Sequence, residues 1–280
     1  MPLIQSITSR ENALIQRLRR LAQDALAYRK QGEVWLEGDH LCSACLARGV
    51  PVPVAIVADS AWIGEHGTAT GDDERAALAS RLARAADKVI VVPEALWKAF
   101  TGLESPARIG YLLPLAAHAG SAECSAQAIH ATARTVVLDR LQDAGNVGSI
   151  LRSAAALGVQ QVLALKGTAG LWSPKVLRAG MGAHFALNLV EQLDADDLAA
   201  LQVPLVATSS HTEHVVSRVQ LPDPCAWVMG HEGQGVSEAL QARCALTVTI
   251  PQPGGEESLN VAAATAICLY ESLRQRAVLS

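Results

Sequence analysis

Aromatic side chains are scarce, at 4% of the sequence, so a core has to be built mainly from Ala, Val and Leu. No apolar run nears the roughly eighteen residues a membrane-spanning helix needs. The opening stretch MPLIQSITSRENALIQRLRR also lacks the uninterrupted apolar centre of a signal peptide. The expectation is a cytoplasmic protein with no membrane partner. Excess positive charge is missing too: the net charge is −4, so the whole-molecule field does not mark a nucleic-acid binder. There is no Walker A sequence and no GxGxxG fingerprint, since Gly230-x2-Gly233-x-Gly235 has a different spacing. Cys42-x2-Cys45 has metal-ligand spacing, but no second Cys/His pair stands at a matching distance. No metal is expected, and His211-x2-His214 reads as a solvated turn. In a cytoplasmic setting the cysteines are expected as reduced thiols.

What is present is an alternation of short apolar runs and helical patterns. Thr8 and Glu11 have the spacing of a capping box. Leu14, Leu18, Leu21 and Ala25 then repeat at helical spacing, leaving Arg17, Arg19 and Arg20 on the other side. That face is either a solvated helix surface or a local phosphate-binding patch. Strand candidates at 33–36, 52–58, 89–92 and 108–115, with helices at 38–48, 73–86 and 95–100 between them, define a small α/β domain over residues 1–115. Residues 116–132 are small and polar without a period and read as a linker. From 133 to 280 strands at 135–138, 161–165, 186–190, 205–208, 226–229 and 247–250 alternate with helices, the signature of an α/β domain with a mainly parallel sheet.

Parallel sheets bind ligands beyond the carboxyl ends of their strands. Three such positions carry distinctive loops. After Leu138 comes DRLQDAGNVGSILRSAAALGV, with Asn146 and Arg152 six residues apart. After Met229 comes GHEGQGVS, whose glycines let a backbone approach a ligand closely. After Ile250 comes PQPGGEESLN, then a small-residue apolar helix from Val261. By local chemistry alone Ser258 and Asn260 are helix caps or site residues, and Asn146 is a cap or a site residue.

The three segments, in this order, resemble the SpoU/TrmH family of the SPOUT superfamily. The resemblance is strong over the last half of the chain and implies transfer of a methyl group from S-adenosylmethionine to a ribose 2′-hydroxyl of RNA. It implies a trefoil-knotted C-terminal domain that forms a homodimer. It gives Arg152, Asn146, Glu232, Ser258 and Asn260 as the catalytic set. It also implies Thr208, Met229, Gly230, Ile250 and Leu259 as the positions at the methyl donor. Arg178, in SPKVLRAGMGA, is an RNA-phosphate candidate beside Arg17, Arg19 and Arg20. The N-terminal part is similar to the small RNA-binding domain that precedes the catalytic domain in many relatives, with a partial match at Ser105–Arg108. That domain favours ribosomal RNA over transfer RNA as substrate; a transfer-RNA enzyme and a catalytically inactive RNA-binding relative are the alternatives. Two departures stand out: His231 where relatives commonly have Asn, and Ala144 where many have Pro.

Overall fold

β-branched and aliphatic runs become strands, and runs with helical spacing become helices, over most of the chain. The structure, a computed structural model, describes residues 2–63, 74–103, 107–115, 128–254 and 258–279. Through the first part of the chain the elements are β1 (Leu3–Ser6), α1 (Ala13–Gln23), α2 (Ala27–Gln31), β2 (Glu33–Glu37), α3 (Asp39–Ala47), β3 (Val54–Ala58), α4 (Glu74–Ala83), β4 (Lys88–Val92), α5 (Glu94–Trp97) and β5 (Ile109–Pro114). Then follow β6 (Thr135–Leu138), α6 (Ala144–Ala156), β7 (Gln161–Leu165), α7 (Pro174–Gly180), β8 (Asn188–Leu193), β9 (Leu205–Thr208), β10 (Ala226–Met229), α8 (Glu238–Gln241), β11 (Leu246–Val248) and α9 (Val261–Leu279).

These elements form two compact units. The first comprises Met1–His118 with Trp172–Phe185, the second Ala119–Leu171 with Ala186–Ser280. The expected division put everything from 133 onward in one domain, so the segment around α7 is a departure. Its cause is local packing. Val176 and Leu177 are buried, and α7 packs against α1 and β2. Trp172 lies against His184 and Phe185, with ring centroids 5.1 and 6.2 Å away. Of the expected linker, residues 116–127 lie outside the described residues. Residues 128–132 are tied down instead: Ile129 is buried, and the His130 carbonyl accepts from Gln161 Nε2 at 2.7 Å.

In the first unit the sheet order is β1-β4-β3-β5-β2. β1, β4 and β3 run parallel, and β5 is antiparallel to both β3 and β2. The few aromatics are concentrated here: Trp35, Trp97 and Phe100 have ring centroids 5.0 to 6.0 Å apart. The capping box at Thr8 does not form. Residues 3–6 are spent on β1, and Ser9 Oγ accepts the Glu11 N–H at 3.2 Å. The helix starts at Ala13, where Asn12 caps it by accepting from Leu14 N at 2.9 Å. Cys42 and Cys45 are buried on α3; burial pushes the Cys45 thiol up to about 12.

In the second unit all six strands are parallel, in the order β11-β9-β10-β6-β7-β8. Val136, Val137 and Leu138 are fully buried, as are Val162 and Leu163, which fits a sheet covered on both faces. β8 starts two residues later than the expected 186, because 183–186 form a short 3-10 turn. The register aligns strand ends: Met229 pairs with Leu138 and Val248 with Thr208. The carboxyl ends of β6, β9, β10 and β11 therefore open on one edge. α9 is held by Trp227 Nε1 donating to Ser272 Oγ at 3.0 Å. Gln275 pins the preceding loop, accepting from Leu221 N at 2.9 Å and donating to the Val219 carbonyl at 3.0 Å. α6 packs against α9.

Candidate active site

At that edge of the second unit lies a cavity of about 920 Å³. Its walls come from the ends of β9, β10 and β11 and the start of α9. Thr208, Met229, Gly230, Ile250 and Leu259 all line it, as do Glu232, Ser258 and Asn260. Apolar Met229, Ile250, Leu259 and Val261 line it together with polar Ser209, Ser210, Thr249 and Gln252.

Gly230 shows why a side chain is excluded at the strand end. A Cβ there would lie 2.1 Å from the backbone carbon of Gly235 and from Val236 N. The loop doubles back onto the strand, and His231 and Gly235 exchange backbone hydrogen bonds at 3.0 and 2.8 Å. His231 supplies the side-chain half of this turn. Its Nδ1 accepts the N–H groups of Gly233 at 3.0 Å and Gln234 at 3.3 Å. An asparagine side-chain oxygen makes the same kind of turn, so the departure at 231 preserves the hydrogen bonding with a different acceptor.

Glu232 points out of that turn to the start of α6. Its Oε2 accepts from Gln142 N at 3.2 Å, and its Oε1 from Asp143 N at 3.1 Å and Asn146 Nδ2 at 3.3 Å. Burial raises its carboxyl pKa. The backbone N–H groups of Glu232, Asp143 and Gln142 and the Asn146 amide outweigh this and hold it below its ordinary value. Asn146 is not the helix cap: Asp143 caps α6, accepting from Asn146 N at 2.7 Å. The Asn146 side chain is thereby left to bridge, its Oδ1 accepting from Asn260 Nδ2 at 2.9 Å. Asn260 both bridges and caps, its Oδ1 accepting from Ala262 N at 2.9 Å and Ala263 N at 3.2 Å. Glu232, Asn146 and Asn260 thus form one hydrogen-bonded chain across the three motif loops.

Arg152 is exposed on α6, six residues beyond Asn146 and about 9 Å along the axis. Ser258 is exposed, and residues 255–257 of its loop lie outside the described residues. Arg17 and Arg178 lie in the first unit, Arg17 paired with Glu33 at 3.2 Å. Arg19 and Arg20 are exposed on the same helix as Arg17. His211 lines the cavity, and the N–H groups of His211 and His214 are bonded to Ser209 Oγ and Thr212 Oγ1.

Sequence reading missed Asp139 and Arg140. Asp139 is 2% exposed, yet its Oδ2 accepts Ser237 N at 2.7 Å and its Oδ1 accepts Arg140 Nε at 2.9 Å. Arg140 has a left-handed φ of 62° and reaches Gln234 Oε1 at 3.1 Å. Together they tie the end of β6 to the second motif loop. The signal was a charged pair directly after a buried strand, at the ligand-binding edge.

The comparisons with known proteins agree with this geometry. Residues 133–270 match the model of the SpoU rRNA Methylase family. A Synechocystis protein named as an uncharacterized tRNA/rRNA methyltransferase is 33% identical over 98% of this chain and 95% of its own length. The 23S rRNA (guanosine(2553)-2′-O)-methyltransferase of Bacillus subtilis is 37% identical, over 50% of this chain and 58% of that one. The chain thus spans somewhat over half the length of that relative. The crystal structure of the SpoU methyltransferase AviRb from Streptomyces viridochromogenes, in complex with the cofactor AdoMet, superposes with a TM-score of 0.77. It is 26% identical and covers 95% of this chain and 99% of that one. With a fold, a cavity and three ordered motif loops in agreement, the chain belongs to the SpoU rRNA methylase family.

Proposed function

We propose that the protein is an S-adenosylmethionine-dependent RNA 2′-O-ribose methyltransferase acting on ribosomal RNA. The observation that carries this reading is the Glu232–Asn146–Asn260 chain beside the cavity at the strand ends. The cavity fits the methyl donor in kind: its volume lies within the roughly 300–1,000 Å³ of small-ligand sites, and its lining mixes apolar and polar residues. Thr208, Met229, Gly230, Ile250 and Leu259 would hold the donor, which supplies an electrophilic methyl group. The relatives named for 23S rRNA favour ribosomal over transfer RNA, and such a substrate belongs to the cytoplasm.

The remaining chemistry falls to side chains of this chain. A ribose hydroxyl is a weak nucleophile until its oxygen takes on negative charge. A guanidinium keeps its proton in proteins, so Arg152 acts by stabilising the forming alkoxide, while the hydroxyl proton leaves to solvent. Glu232 and Asn260 hold Asn146, and Asn146 fixes the start of the helix that bears Arg152. Ser258 and Asn260 position the target ribose. Arg17, Arg19, Arg20 and Arg178 contact RNA phosphates.

We infer also that the last segments of the second unit thread through a loop as a trefoil knot, and that this unit pairs with a second copy through α9. Ile267 and Tyr270 are 40% and 59% exposed and, with exposed Ala263, form one apolar stripe of that helix.

The test is incubation with labelled S-adenosylmethionine and unmodified ribosomal or transfer RNA. Label in an alkali-resistant dinucleotide from ribosomal RNA is the expected result. Label confined to transfer RNA, or recovered on a base, would contradict the assignment.

A further inference from the structure

The stretch from Met229 to Val236 lines the strand-end cavity, and it is held from behind by two residues outside that lining, Asp139 and Arg140. Both follow β6 directly and belong to the second unit, as does the loop they hold. Arg140 adopts a left-handed conformation, at φ 62°. A Cβ disfavours that conformation, which glycine or asparagine takes more readily. The chain therefore spends backbone strain to keep a guanidinium at this position, as proteins do where a side chain has a task.

The neighbouring turn is shaped to hold it. Thr168 Oγ1 accepts the Arg140 N–H at 3.1 Å and donates to the Leu138 carbonyl at 3.0 Å. Gly167, itself at φ 90°, leaves room for the Arg140 stem: a Cβ on it would lie 3.3 Å from Arg140 Cγ. The guanidinium is divided between two partners. Its Nε donates to Asp139 Oδ1 at 2.9 Å, and its Nη1 to Gln234 Oε1 at 3.1 Å. The second Asp139 oxygen accepts Ser237 N at 2.7 Å. Asp139 is buried, where a carboxylate without its partner is costly. Gln234 is exposed and lines the cavity. The second motif loop is thus gripped at Gln234 and Ser237, in addition to the His231–Gly235 backbone pair that closes it.

We propose that Asp139 and Arg140 are positioning residues for the methyl donor, and that Arg140 sets donor affinity through Gln234. They fix the loop against which the donor lies. A wall fixed beforehand loses little freedom when the ligand binds, so the gain is in affinity. Glu232 keeps its own bonds to Gln142, Asp143 and Asn146 without them, so the chemical step is spared. The inference rests on the methyltransferase reading and deepens it, by naming the residues that prepare its donor site.

The experiment measures S-adenosylmethionine affinity by calorimetry, and methyl transfer to ribosomal RNA at saturating donor. The proteins are wild type, Arg140→Gly, Gln234→Ala and the double variant, each followed by thermal melting. Each single variant should bind the donor about tenfold more weakly, the scale of one lost hydrogen bond. The double variant should lose about the same factor, because both changes remove one shared bond. Turnover at saturating donor should stay within about twofold of wild type, a pure binding effect. Gln234 is exposed, so Gln234→Ala decides the question even if Arg140→Gly fails to fold. Wild-type donor affinity in Gln234→Ala would overturn the proposal and leave the transferase reading standing. Losses that multiply to about a hundredfold in the double variant would overturn it too, since the two residues would then act separately. So would slower turnover at unchanged affinity. Absence of both donor binding and methyl transfer in wild type would remove the transferase reading, and this proposal with it.

Discussion

Individual side chains around the strand-end cavity are defined by the hydrogen bonds they accept. His231 Nδ1 takes two backbone N–H groups of its own turn, so the size and basicity of the ring matter less than one well-placed acceptor. His231→Asn should keep donor affinity near wild type. His231→Leu leaves two N–H groups without their partner, worth about 1–2 kcal/mol, and should weaken donor binding about tenfold in calorimetry. Equal affinities for the two variants would contradict that role. Glu232 gives a pH-dependent counterpart. Its folded-state pKa is depressed, so it stabilises the protein fully above its unfolded value of about 4.3. That contribution is lost as the pH falls through the lower folded value. Melting of Glu232→Gln against wild type should therefore show a deficit at neutral pH that closes in acid; a pH-independent gap would show that the carboxylate's charge is not involved. Glu232, Asn146 and Asn260 were singled out in the sequence by the family resemblance of their three segments, since local chemistry left Asn146 and Asn260 as caps or site residues. Their mutual bonding was not legible there, because it depends on Asp143 taking the cap of α6 and freeing the Asn146 side chain.

Among the elements, the parallel strands were the most readable, since each is a short aliphatic run buried on both faces. Helix starts were less so. Thr8 and Glu11 had the right spacing for a cap, yet residues 3–6 became an edge strand and Asn12 took the capping role. α7 misled for a different reason. Its apolar face says only that it packs on something, and its place with the first unit is fixed by contacts distant in sequence. The anchoring of α9 also lies beyond sequence reading, because Gln275 acts on backbone groups more than fifty residues away. Gln275→Ala removes the partners of Leu221 N and the Val219 carbonyl and should destabilise the protein by about 1–3 kcal/mol. Amide exchange at Leu221 should speed up while exchange in β6 stays slow. Uniform acceleration, or none, would contradict a local clamp.

For the whole molecule, the proposed function asks the second unit to bring a methyl donor, Arg152 and an RNA ribose together at one sheet edge. The chain supplies a cavity at the strand ends, a hydrogen-bonded chain from Glu232 through Asn146 to Asn260, and Arg152 on the helix this chain anchors. The exposed stripe of α9 adds a prediction about assembly. Tyr270→Asp places a charge within that stripe and should shift the protein from dimer to monomer in sedimentation equilibrium, while wild type stays dimeric; a monomeric wild type would contradict the pairing. The central claim is that Arg152 stabilises the transition state without contributing to donor binding. Its most direct test compares wild type with Arg152→Ala for single-turnover methyl transfer to ribosomal RNA, alongside S-adenosylmethionine affinity. The account predicts a rate reduced by a factor on the order of 10²–10³, the range for removing one preorganised charge-stabilising group, with donor affinity unchanged. Transfer at an undiminished rate, or a loss explained entirely by weaker donor binding, would contradict it.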